Sequence, residues 1–457
     1  MKVGDTMPNL RPYQIEDVNF CLDKNAIGIF NEQRCGKTPT ALSVLKAKNC
    51  KKIIIVCPAS ILYQWKEEFE LWLERPCVVI AGTPKHRENA LKNWTDGAVI
   101  SYDLLKKTAR TKGYIEEILE AHPEAIIVDE AHRMKNPSSA LAKAIFKFTK
   151  IPIRLALTGT PAPNKQNDVF SVLHFLKPQQ YNSYWGFINK YFFVIERHAA
   201  MGHSFKEITS FKPGMQLKLQ TDICTFCLQR KRREVMDWLP EKDYSQVKLP
   251  PTPLQLKYLK ELADYFETGD VITKGLLDRL IRYRQICLHP GLLELKGNSP
   301  KLDWVIQYTK DYPDTPTIIF SKFTSFIKIL EKELQKEGKN VGVIIGETPV
   351  ELRNEYKLQF QNGEIDMLLI NVDAGKEGLT LDRAEVIIFT DKFPPVGDIQ
   401  QAEDRFVATT EDKKDKPHKI IELILKGTYD EEVYKMLKLR ASQVDVINDF
   451  NKYIGRK

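Results

Sequence analysis

Short runs of aliphatic and β-branched residues recur along the chain. Longer stretches, in which apolar residues return every three or four positions, separate them. In the first third the short runs are 26–30, 52–57, 77–81, 98–101, 125–128 and 153–157. Amphipathic stretches such as 61–73 and 115–121 lie between them. Strands that alternate with helices predict a parallel sheet whose ligands sit at the carboxyl ends of its strands. The rhythm breaks from about residue 164 to 300, where 181–187 is aromatic and irregular and 256–268 and 276–287 read as helices. Alternation then resumes at 317–320, 341–345, 367–370 and 386–389. A last strand is expected at 419–424, and a helix from about Asp430. The pattern predicts an α/β protein with two parallel-sheet domains, 1–165 and 299–457, and an α-helical insertion, 166–298, between them.

Bulk properties narrow the class. A chain of 457 residues is too long for a single core. Its 43% hydrophobic and 28% charged residues are those of an ordinary globular protein. No apolar run approaches the ~18 residues that would span a bilayer. The opening Met1-Lys2-Val3-Gly4-Asp5 lacks a signal-like apolar core. Several of the eight cysteines, Cys57 among them, fall inside apolar runs and read as buried thiols. Cys224-Thr225-Phe226-Cys227 is the only CxxC pair, with no second pair to complete a zinc site. These features predict a reduced intracellular protein, cytoplasmic or nucleoid-associated, with no membrane partner. A net charge of +8, from 68 basic and 60 acidic residues, leans mildly towards a polyanion.

Two stretches bring in chemistry. Asn31-Glu32-Gln33-Arg34-Cys35-Gly36-Lys37-Thr38 follows the first apolar run and precedes a helical pattern. Strand, tight loop, Gly-Lys-Thr and helix form a phosphate cradle. Backbone N–H groups around Gly36 face anionic oxygens, Lys37 reaches the β- and γ-phosphates, and Thr38 can hold Mg²⁺. About ninety residues on, Asp129-Glu130-Ala131-His132 places two acids at the end of a buried strand. With the cradle they make a nucleotide-hydrolysis site, with ATP and Mg²⁺ as cofactors. Asp129 would hold the metal through water, and Glu130 would polarise the attacking water.

The acidic motif, continuing to Asn136, and Leu157-Thr158-Gly159-Thr160-Pro161 resemble a superfamily-two helicase-like ATPase, and within it the Swi/Snf-type translocases. Further matches are Leu10-Arg11-Pro12-Tyr13-Gln14, the segment from Val56-Cys57-Pro58-Ala59-Ser60 to Trp65, and Ile100-Ser101-Tyr102-Asp103-Leu104. The helical middle adds Leu228-Gln229-Arg230-Lys231-Arg232-Arg233 and Arg284-Gln285-Ile286-Cys287-Leu288-His289-Pro290. Asp373-Ala374-Gly375-Lys376-Glu377-Gly378-Leu379-Thr380 and Gln401-Ala402-Glu403-Asp404-Arg405 follow in order. The last two are most similar to the annealing and fork-remodelling branch.

The resemblance implies two RecA-like domains of the P-loop NTPase class, with ATP bound between them so that its cleavage drives motion. Gln14 would read adenine, and Gln401 would join Gly36, Lys37 and Thr38 in holding the nucleotide. Arg405 would stabilise the transferring phosphoryl group. Ser60, Thr160, Ser321 and Thr380 would contact nucleic-acid phosphates, and His132 and Thr158 would couple the two events. The implied partner is duplex or branched DNA, read with little regard to sequence, with RNA as an alternative. Three positions depart from the family pattern: Asn31 replaces an aspartate, Arg34 a glycine, and Ala408 a second arginine. Asn31 and Ala408 keep open a weakly hydrolysing ATP-dependent clamp; a strand-separating helicase on DNA or RNA is a separate alternative.

Overall fold

The computed structural model describes residues 10–106, 113–163, 165–198, 204–235, 242–265, 267–268, 271–272, 276–374, 381, 383–391 and 418–435. The described residues divide into two compact units, one ending at Val235 and one beginning at Lys242. The stretch 166–298 is thus shared between the units.

The first unit is built on β1 (Ala26–Ile29), β2 (Ile53–Cys57), β3 (Cys77–Ile80), β4 (Gly97–Ser101), β5 (Ala125–Asp129) and β6 (Ile153–Leu157). Every pairing in its sheet is parallel, in the order β3-β4-β2-β5-β6-β1. Its central strands are buried on both faces, which explains why they read as continuous apolar runs. Alternate residues serve opposite faces. Ile53, Ile55, Ile127 and Leu155 pack under α2 (Lys37–Ala47) and α3 (Leu62–Leu73). Ile54, Val56, Ile126 and Val128 face the helices at Ala140–Phe146 and Phe170–Leu176.

The middle of the chain holds more strand than its pattern suggests. β7 (Phe192–His198) and β8 (Ser204–Phe211) form an antiparallel hairpin. β9 (Cys227–Leu228) adds a parallel edge beside β1. The hairpin escaped a period-two reading because both of its faces carry apolar residues: Val194 and Ile208 pack on the core, whereas Ile195 and Phe205 on the other face are exposed. β9 is too short to show any period. The aromatic tract divides in two: Tyr181, Phe187, Tyr191 and Phe192 are buried in the core, whereas Trp185 and Phe193 are exposed.

The second unit starts with β10 (Lys242–Leu249) and a two-residue pair, β11 (Glu267–Thr268) and β12 (Val271–Ile272). β13 (Thr317–Ser321), β14 (Val341–Ile344), β15 (Met367–Asn371), β16 (Val386–Phe389) and β17 (His418–Leu425) follow. The second sheet runs β10-β17-β16-β13-β15-β14, parallel throughout. The mixed polar sequence of β10, Lys-Asp-Tyr-Ser-Gln-Val-Lys-Leu, suits an edge strand. The predicted helix at 256–268 begins and ends earlier, at Pro253–Tyr265, because proline favours the first helical position. Ionic groups lie deep in this unit. Lys301 is fully buried, donating to Asp430 at 2.6 Å and to the Thr390 carbonyl at 2.8 Å. Arg284 donates to Asp391 at 3.2 Å.

Candidate active site

β5, β6 and β1 are neighbours in the first sheet, so the segments leaving their carboxyl ends open side by side. The segment after β1 is the phosphate loop. Gly36 caps α2 in the left-handed region, at φ +65°. A Cβ there would lie 2.1 Å from Gln14 Nε2, so both backbone and space demand glycine. Arg34, where the family pattern has glycine, also lies at positive φ, +68°. Lys37 Nζ donates to the carbonyls of Asn31 at 3.0 Å and Glu32 at 3.3 Å. Thr38 is partly exposed in the first turn of α2. Gln14 accepts from the Arg11 amide at 2.8 Å and donates to the Gly36 carbonyl at 3.4 Å.

Asp129 ends β5 with both carboxylate oxygens held. Oδ1 accepts from the Glu130 amide at 2.9 Å and Oδ2 from the Trp65 indole N–H at 2.8 Å. The Tyr102 hydroxyl donates to its carbonyl. Removal from water, reinforced by the neighbouring Glu130 charge, pushes the Asp129 carboxyl up to about 6, while Trp65 and Lys37 pull it down. Trp65 was visible only as the end of a matched motif, and nothing in the sequence pointed its indole at this acid. Glu130 sits at φ +50°, a left-handed turn that starts a new direction after the strand.

His132 links the acids to β6. Its Nδ1 lies 3.0 Å from Thr158 Oγ1 and 3.2 Å from Glu130 Oε2. Thr158 Oγ1 also accepts from the Thr160 amide at 3.1 Å, and the Thr158 amide donates to Ile29 of β1 at 3.2 Å. These contacts connect Glu130, through His132 and Thr158, to Thr160 and to Ile29 at the entrance of the phosphate loop. Among the described residues no group of three or more His, Cys, Asp or Glu could hold a metal. Mg²⁺ does not require one, since it keeps several waters and takes one or two protein oxygens beside nucleotide phosphates. The Asp129 carboxylate and the Thr38 hydroxyl are donors of that kind.

The remaining predicted residues are placed separately. Ser60 is exposed just after β2. Ser321 is buried at the end of β13, where its hydroxyl donates to Asp391 at 2.7 Å. Thr380, Gln401, Arg405 and Ala408 lie outside the described residues. Arg383, the other cation within reach of the late motifs in sequence, is committed locally. It donates to Asp366 at 2.6 Å and to the Phe360 and Ile365 carbonyls at 3.1 Å each.

Residues 13–292 match the SNF2-related domain, and residues 300–407 match the helicase conserved C-terminal domain. This chain belongs to the SNF2-related family. Curated relatives of this SNF2-related chain include the chromodomain-helicase-DNA-binding protein 1-like of Danio rerio, 26% identical over 97% of this chain and 44% of that one. Another is the probable ATP-dependent DNA helicase CHR12 of Arabidopsis thaliana, 28% identical over 87% of this chain and 38% of that one. The chain thus spans less than half the length of these two relatives. Among solved structures, the Sulfolobus solfataricus SWI2/SNF2 ATPase core in complex with dsDNA aligns at 25% identity, with a TM-score of 0.44, over 99% of this chain and 96% of that one.

Proposed function

We propose that this SNF2-related chain hydrolyses ATP at the phosphate loop and couples the reaction to movement along duplex or branched DNA. One observation carries the reading: Lys37, the acids Asp129 and Glu130, and the His132–Thr158 pair converge at the ends of three adjacent strands. In this reading Gly36 and Lys37 hold the phosphates, with Gln14 beside the base. Glu130 orients and deprotonates the attacking water, and His132 relays the change at Glu130 to Thr158. Thr38 and Asp129 hold Mg²⁺, which when bound offsets charge on the phosphates. Arg405 supplies the cation that phosphoryl transfer needs.

DNA as the polyanion is supported by family membership, by the DNA-directed names of the relatives and by the basic net charge. Contacts through Ser60, Thr160 and Thr380 would go to phosphates, so binding should weaken as salt rises and tolerate any sequence. The deciding experiment measures ATP turnover with and without duplex DNA for the wild type and Glu130→Gln. The expected result is DNA-stimulated turnover that falls by roughly 10² or more in the variant while ATP binding persists. Equal turnover in both proteins would remove Glu130 from the chemistry. Displacement of a third strand from a triplex, without separation of the duplex, distinguishes translocation from unwinding.

Ala408 favours a second reading, a clamp that binds ATP and turns it over slowly. If Ala408→Arg raises turnover steeply, towards the roughly 10³–10⁵-fold that an arginine finger can supply, the clamp is the better description.

A further inference from the structure

Helix α1 (Pro12–Cys21) braces the phosphate loop at both ends. Gln14 and Asp17 are three residues apart and so share one face of that helix. Both are buried. Gln14 reaches Gly36, at the exit of the loop. Asp17 reaches Asn31, at its entrance, where Asn31 Nδ2 donates to Asp17 Oδ2 at 3.0 Å. The other oxygen of Asp17 accepts from Arg230 Nε at 2.9 Å, and Arg230 Nη2 donates to Glu16 at 2.8 Å. The same arginine holds the loop a second time, its carbonyl accepting from the Glu32 amide at 2.9 Å. Asn31 and Glu32 are the residues whose carbonyls receive the Lys37 ammonium, at 3.0 and 3.3 Å.

The chemistry of this contact is one-sided. A carboxylate only accepts, so the Asn31 amide must turn its N–H₂ towards Asp17. Asn31 is fully buried, and among the described residues its Oδ1 has no hydrogen-bond partner. An acceptor left without a partner costs stability, so an amide at this position is worth having for the donor it presents to Asp17. An aspartate at the same position would set two carboxylates 3.0 Å apart in a site removed from water. Like charges so placed repel strongly.

We propose that Asp17 is a positioning residue for nucleotide binding: clamped by Arg230, it fixes Asn31 and thereby the two carbonyls on which Lys37 rests. Asp17 does not itself touch the nucleotide. The inference rests on the phosphate-loop reading above and assigns Arg230, the first cation of a basic run, to the loop. An amide at 17 facing a carboxylate at 31 would restore the hydrogen bond with donor and acceptor exchanged.

The test is a double-mutant cycle on the full chain: Asn31→Asp, Asp17→Asn and the two together. Affinity for a fluorescent ATP analogue with Mg²⁺, steady-state kcat and KM, and thermal unfolding are measured for each. Asn31→Asp should weaken nucleotide affinity by roughly tenfold or more and raise KM by more than it lowers kcat. The double variant should recover most of that affinity. Losses that simply add would overturn the proposal, as would single variants whose folded fraction binds nucleotide like the wild type. A wild-type protein that binds no nucleotide would sink the phosphate-loop reading itself, so the two failures are told apart.

Discussion

Asp129 carries its charge between opposed influences, and that balance has consequences for pH. Burial and the Glu130 charge raise its carboxyl to about 6 from an ordinary 3.8. In the proposed role of holding Mg²⁺ Asp129 acts ionised, so kcat/KM for ATP at limiting Mg²⁺ should fall as pH drops through about 6. Stability of the metal-free protein follows the opposite course. A raised folded-state value favours folding fully below about 3.8, and that contribution is lost as pH rises through about 6. Removing the indole donor isolates one influence. Trp65→Phe keeps a ring in the buried space but takes away the 2.8 Å hydrogen bond that favours the ionised acid. The acid limb of the pH–rate profile should therefore move to higher pH, and a pH titration of turnover for both proteins checks it. An unmoved limb would mean that the indole only packs.

At the scale of elements, β1 and β9 meet too closely for any side chain between them. A Cβ on Gly28 would lie 2.4 Å from Cys227 Sγ and 2.8 Å from the Phe30 ring. Gly28→Ala should cost about 1–3 kcal/mol, seen as a lower unfolding midpoint. The same pair shows what the sequence could and could not reveal. β1 announced itself through Ala26, Ile27 and Ile29, apolar on both faces because the strand is central. β9 offered only Cys227 and Leu228, and its place beside β1 depends on a contact between residues about two hundred positions apart in sequence. The acids and the Gly-Lys-Thr loop were legible because their chemistry needs fixed spacing at strand ends. Trp65, Asp17 and Arg230 were not, because their roles depend on which distant side chain each meets. Ser321 was singled out by the family resemblance, yet the partner of its hydroxyl, Asp391, lies 70 residues away.

At the scale of the whole molecule, the second unit hangs on buried charge. Lys301 is fully enclosed, and Asp430 is its only charged partner among the described residues. Lys301→Met would strand that carboxylate and should destabilise the unit by roughly 3–5 kcal/mol. Pairing it with Asp430→Leu should return much of the loss, because replacing both partners leaves no uncompensated charge. Denaturant unfolding of the three variants measures the coupling. A double variant no more stable than Lys301→Met would mean that the ion pair is not what the lysine supplies.

The pairing of β10 with β17 also sets a timetable for the chain as it leaves the ribosome. Gln246 of β10 donates to Glu422 of β17 across a separation of 176 residues. The ladder of the first sheet is complete once Leu228 has been made, whereas β10 must wait for its neighbour. At ordinary elongation speeds that wait lasts roughly ten to thirty-five seconds. For that interval the nascent polypeptide presents an open strand edge, the period in which a chaperone would have most to protect.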